Sequence, residues 1–125
     1  HPIMAGFTQT EQQNTLDARF PTTGATDYIA YSTNGTSEAA ILARTSIGAT
    51  GWAAATAATP SVKANSSALT TAAASGSGTI SHFAVYSAST GGTQRTDWTA
   101  VTASKTVASG DALTWAIGAL AITLD

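Results

Sequence analysis

From Thr79 to Asp125 the chain reads as a run of β-hairpins, and nothing else in it restricts the fold as strongly. In the stretch Thr79–Ser87, Ile80, His82, Ala84 and Tyr86 fall on one face of an extended strand. Thr79, Ser81, Phe83, Val85 and Ser87 fall on the other, because successive side chains of a strand point to opposite sides. Large apolar groups on both faces predict a strand covered on both sides. Ser89-Thr90-Gly91-Gly92 supplies a turn whose glycines accept positive φ. The return strand, from about Gln94 to Ala100, is expected to bring Trp98 inward. Ala108-Ser109-Gly110-Asp111 predicts another tight turn, followed by a strand with Leu113 and Trp115 on one face. Gly118 breaks that strand, and Leu120, Ile122 and Leu124 alternate inward on the last one.

Upstream, strand signals are weaker. Thr26–Ser32 alternates and is rich in β-formers, and Asn34-Gly35 follows as a turn. Glu38–Ile47 reads as one strand or a strand pair, and Ser67–Ala73 as one more. Between them, Ala49–Pro60 has helix-prone alanines but is broken by Gly51 and Pro60, so it reads as a loop with Trp52 tucked into the body. The segment before Pro21 is different. Met4 reads as a start, with His1-Pro2-Ile3 an appended remnant or an alternative start. Thr10 and Gln13 have capping-box spacing, which predicts a short helix from about Glu11 to Ala18. Phe20-Pro21 stops it, because the residue before proline avoids the α region. The apolar face of that helix is thin, so it reads as a surface helix or as an arm whose hold comes from a neighbouring subunit. The expected architecture is mostly β: an antiparallel β-sandwich, jelly-roll or Ig-like, over residues 21–125, preceded by an arm and short helix over 1–20.

Chemistry is scarce. The 125 residues make one domain. Apolar residues are 43% of the chain but aromatics only 7%, with alanine prominent, so each buried side chain contributes little and assembly with other chains would add stability. Charged residues are 10% and the net charge is −2, with Arg19, Arg44, Lys63, Arg95 and Lys105 scattered. That pattern argues against nucleic acid as a partner. No apolar run is long enough for a membrane span, and no basic segment precedes an apolar one as in a secretory signal. With no cysteine and one histidine inside the domain, no metal site or cofactor is expected. His82 with Asp27, Asp97 or Asp111 and any of many serines could make a triad on paper. The plainer reading is a hydrogen-bonded strand histidine and turn-capping aspartates, so no catalytic residue is assigned and no enzyme is expected. Phe7, Leu16 and Phe20 are the candidate assembly-interface residues.

Four blocks carry a resemblance: Gly78–Tyr86, Ser89–Gly92, Thr102–Asp111 and Ala119–Asp125. In order and spacing they resemble a family of small tailed-bacteriophage structural proteins, variously described as capsid decoration, minor capsid or tail fibre proteins. Met4–Phe7, Leu16-Asp17, Tyr28–Tyr31 and Trp52–Ala54 are similar to that family's earlier elements. The resemblance implies a protein of the virion, on the outer surface of the phage head. Its implied partners are the major capsid protein and two further copies of itself, in a homotrimer. Its implied role is to cement the shell, and the alternative is a tail-associated or fibre-like host-binding module.

Overall fold

The computed structural model describes residues 7–58 and 60–124, without the side chain of Leu124. Met4–Gly6 and Asp125, which enter the resemblance, and the expected inward turn of Leu124 lie outside the described residues. Those residues form helix α1 (Gln9–Arg19) and strands β1 (Tyr28–Ser32), β2 (Thr45–Ser46), β3 (Ser61–Ala64) and β4 (Leu69–Thr70). The later strands are β5 (Gly78–Tyr86), β6 (Thr99–Val107), β7 (Thr114–Trp115) and β8 (Ala121–Leu124). All strand pairings are antiparallel. One sheet runs β2-β1-β5-β6, and two strand pairs, β3-β8 and β4-β7, complete the body. The fold is mostly β and sandwich-like, as the hairpin pattern predicts.

One apolar cluster joins the layers. Ile29 and Tyr31 of β1 and Ile80, Phe83 and Val85 of β5 meet Leu69, Trp115 and Ile122 from the strand pairs and Leu120 from the turn before β8. The expectation that β5 is covered on both faces holds for its second half: Ala84 and Val85, consecutive and opposite in direction, are both fully buried. Trp52 plugs the same core at 1% exposure. Leu113 and Trp115 are both buried, as are Leu120 and Ile122. Gly91, Gly92, Gly110 and Gly118 all have positive φ, in the turns where the sequence calls for it.

The first half of β5 departs from simple alternation. Ile80 pairs with Lys105 and His82 with Ala100, so two steps along β5 meet five along β6. This register shift is a bulge, which bends a strand and re-aims its side chains. Beside it the neighbours Ser81 and His82 touch, Oγ to Nδ1 at 2.7 Å, a contact regular alternation forbids.

Several segments differ from expectation for local reasons. Gln94 only bridges to Tyr86, and β6 begins five residues later, at Thr99. Between them the Val85 N–H donates to Thr96 Oγ1 and the Gln94 amide to Thr96 O. Such side-chain bonds compete with a strand ladder, and Trp98 is left half-buried against Tyr86, ring centres 6.3 Å apart, instead of entering the core. In 38–47 only Thr45–Ser46 pairs; ahead of this segment the Asn34 carboxamide gathers the N–H groups of Thr36 and Ser37 into a loop. The strand expected at Ser67–Ala73 shrinks to β4, and β3 appears ahead of it. The helix cap is Thr8, which accepts from Glu11 N at 3.2 Å. The capping threonine is therefore two residues before the predicted Thr10, while the stop before Pro21 falls where expected.

Candidate functional site

Of the three interface candidates, two face inward. Leu16 and Phe20 are each 4% exposed and belong to the common core. Phe20 packs on Trp52, ring centres 5.3 Å apart. The helix is thus part of the body and not a separate arm: its few apolar residues meet this subunit's own strands. Only Phe7, at 57% exposure, keeps its ring in solvent.

What fixes Phe7 is a set of polar side chains that bind α1 to the body. Gln12 is buried; its Oε1 accepts from Ser61 N at 2.8 Å, and its Nε2 donates to Phe7 O at 3.1 Å. One side chain therefore ties the main chain of Phe7 to the first residue of β3. Gln13 Nε2 donates to Ala55 O, and Asp17 Oδ1 accepts from Ala55 N and from Lys63 Nζ, the last at 2.6 Å. Lys63 is fully buried, whereas the Asp17 side chain is 42% exposed. Burial works against ionising Asp17, but the hydrogen bonds from Lys63 and Ala55 prevail and hold its carboxyl below the ordinary 3.8.

A second apolar group is presented in the same way. Ile117 is 70% exposed, at the tip of the turn between β7 and β8. Asn65, 1% exposed, donates from Nδ2 to Ala116 O and Ser67 O and accepts from Leu120 N at Oδ1. Its carbonyl also accepts from Gly118 N. Phe7 and Ile117 are the large apolar side chains left exposed among the described residues. Gln12 joins one to the start of β3, and Asn65, just past its end, anchors the turn that carries the other.

The residues weighed for catalysis are dispersed. His82 bonds to Ser81, its neighbour in sequence. Asp27 is not a turn cap: it is 3% exposed, accepts from Trp52 Nε1 at 3.2 Å, and lies 3.2 Å from Arg95 Nε. Asp111 does cap its turn, accepting from Ala108 N. Asp97 is exposed beside Trp98. These residues are not assembled into a triad. Among the described residues no three histidine or acidic side chains gather to hold a metal ion, and no helix is long and apolar enough to cross a membrane.

Sequence reasoning passed over the polar residues that do the positioning. Gln12 and Ser61 are 49 residues apart, Asp17 and Lys63 46, Asn65 and Leu120 55, and no local pattern marks them. Arg44 is another. It forms a two-point ion pair with Glu38, donates from Nη1 to Ala88 O and Gly91 O at 2.8 Å, and lies 3.8 Å over the Tyr86 ring. It therefore pins the β5–β6 turn to the loop before β2.

Residues 6–123 match the model of a family described as podophage GP4 fiber I protein gp80. No curated protein matches the chain.

Proposed function

The chain belongs to the podophage GP4 fiber I protein gp80 family, a family of phage structural proteins, and on that premise we propose that it decorates the exterior of the phage head. In this reading it sits as a homotrimer on the outer surface of the icosahedral shell. It touches the major capsid protein through the Phe7 end of α1 and opposes the outward pressure of the packaged genome. It needs no cofactor and performs no catalysis.

The observation that carries the reading is Phe7, an exposed ring on a main chain held by a buried glutamine. An anchor fixed in advance loses little conformational freedom on docking. Full burial of such a side chain is worth about 1.5–3 kcal/mol. With 57% of Phe7 still accessible, docking adds ~1–1.5 kcal/mol per subunit. A trimer engages three such anchors together, so small energies multiply into firm attachment.

The word fiber in the family's description favours a second reading, a fibre-like module of the tail that meets the host. Electron cryomicroscopy of whole virions separates the two. Density that fits this fold at the threefold positions of the head lattice, lost when Phe7 is replaced by Asp, is the expected result. Density on the tail alone would establish the second reading and remove the first.

A further inference from the structure

The turn after β1 holds a reactive pair of residues. Of the three asparagines, Asn14, Asn34 and Asn65, only Asn34 precedes a glycine. Asparagine is a thermolabile residue, and a following glycine puts no side chain in the way of its own main-chain nitrogen. On an open chain such a pair readily loses ammonia. Asn34 is also exposed, so water, the one reagent consumed, has access to it.

The chemistry needs these two residues and water alone. The Gly35 nitrogen sheds its proton and bonds to Asn34 Cγ. The Cγ–Nδ2 bond breaks, and Nδ2 leaves with that proton as ammonia. The product is a cyclic imide between side chain and main chain. Water then opens the imide at either carbonyl, adding its hydroxyl to that carbon and its hydrogen to the nitrogen. The outcome is aspartate or isoaspartate at position 34.

The folded turn holds both reacting groups off this path. The Gly35 N–H donates to Ser32 Oγ at 2.9 Å. The same hydroxyl accepts from Asn34 N at 3.2 Å and donates to Asn34 Oδ1 at 3.1 Å. Ser32 is fully buried, so water does not take over its bonds. Asn34 Oδ1 also accepts from Thr36 N at 2.9 Å, Thr36 Oγ1 at 3.0 Å and Ser37 N at 3.1 Å. Asn34 Nδ2 donates to Ser37 Oγ at 3.3 Å. With its oxygen and its nitrogen both held, the carboxamide cannot swing its carbon toward Gly35. We propose that Asn34 is a latent deamidation site gated by this turn: it stays asparagine while 32–37 is closed and converts when that segment opens.

Conversion is then a one-way step. Isoaspartate lengthens the main chain by a carbon where room is short, since a Cβ on Gly35 would lie 2.9 Å from the His82 ring. A copy that has opened for long enough keeps a covalent record of it. The inference does not rest on where the subunit sits on the virion.

The test incubates the full chain at mildly alkaline pH, folded and in guanidinium chloride, at one temperature. Peptide mass spectrometry reads the loss of Asn34, and enzymatic methylation reads isoaspartate. Conversion is expected in denaturant, with the folded protein slower by about tenfold or more, because only its open fraction reacts. Ser32→Ala should speed conversion of the folded protein about threefold or more, the weight of a lost hydrogen bond, and leave the rate in denaturant unchanged. Thr36→Ala alters an exposed side chain, removes one hold on Oδ1, and should act in the same direction even if Ser32→Ala does not fold. Equal rates in the folded and unfolded chain would overturn the inference, as would no conversion of Asn34 in denaturant. Faster conversion when folded would also overturn it, since the donors around Oδ1 would then be serving the oxyanion of the attack. So would a folded-state rate that no folded variant changes.

Discussion

Asp17 and Lys63 should respond very differently to removal, although they form one ion pair. The Lys63 ammonium is fully buried, and Asp17 Oδ1 sits 2.6 Å from it. Asp17→Ala leaves that ammonium inside the protein without its counter-charge. Breaking a buried pair from one side costs about 3–5 kcal/mol. The Asp17 side chain is 42% exposed, so water can replace part of it, and ~2–3 kcal/mol is the better figure here. For a chain of this size that lowers Tm by about 6–15 °C. Lys63→Met removes the charge and keeps the volume. It leaves a half-exposed carboxylate that water solvates and Ala55 N still contacts, so its cost should be within ~1 kcal/mol of zero. Thermal and urea unfolding, followed by circular dichroism at pH 7, measure both. Because the folded carboxyl titrates below 3.8, its stabilising effect is complete above that pH and fades as pH falls through the folded pKa. The gap between wild type and Asp17→Ala should therefore narrow in acid. An Asp17→Ala protein no less stable than Lys63→Met would refute this account of the pair.

Other perturbations test other parts of the structure. Burial pushes the Tyr31 hydroxyl up to about 12, so the fold holds that proton more tightly than the unfolded chain does. Stability should decline from about pH 10 to about 12 by ~2–3 kcal/mol, and Tyr31→Phe should flatten that decline in urea titrations. Asn65→Ala strands Ala116 O, Ser67 O and Leu120 N; a loss of ~2–4 kcal/mol is expected, with faster hydrogen exchange at Gly118 and Leu120. An unchanged urea midpoint would show that the Asn65 hub is dispensable. Removing residues 1–7 takes away the Phe7 carbonyl that the buried Gln12 amide donates to, so a loss of ~1 kcal/mol is expected, together with weaker binding to undecorated heads. Extending the deletion through Thr10 also removes the Thr8 cap, at ~1 kcal/mol, and a Tm no lower than that of the shorter truncation would contradict the capping role.

What the sequence reveals here follows from the range of each interaction. Positive-φ glycines and tight turns are local, and Gly91, Gly92, Gly110 and Gly118 are legible without coordinates. The alternation of Leu120 and Ile122 is equally local, and so is the helix stop at Pro21. β3 is not, because its second buried residue is Lys63. A lysine inside a strand reads as solvent-facing, and only Asp17, far away in sequence, makes its burial tolerable. Phe20 illustrates the same limit. Beside a thin helix it looks free to reach outward, until Trp52 arrives from the loop to cover it. Thr10 with Gln13 has the capping-box spacing, yet the cap is Thr8, two residues earlier, where the Glu11 N–H meets its hydroxyl. At the candidate site, Phe7 was visible as a large apolar residue in a polar segment. The Gln12 side chain that aims it was not.

The break in register along β6 bears on how this subunit behaves before assembly. β6 is an edge strand of nine residues, and a free edge is a template for any passing strand. A structural protein accumulates as loose copies before particles form, and a straight edge would invite them to pair at random into fibrils. Here the edge is bent by the bulge and carries Lys105, two features that discourage regular pairing. An edge shaped in this way leaves contacts between copies to side-chain surfaces and not to the backbone.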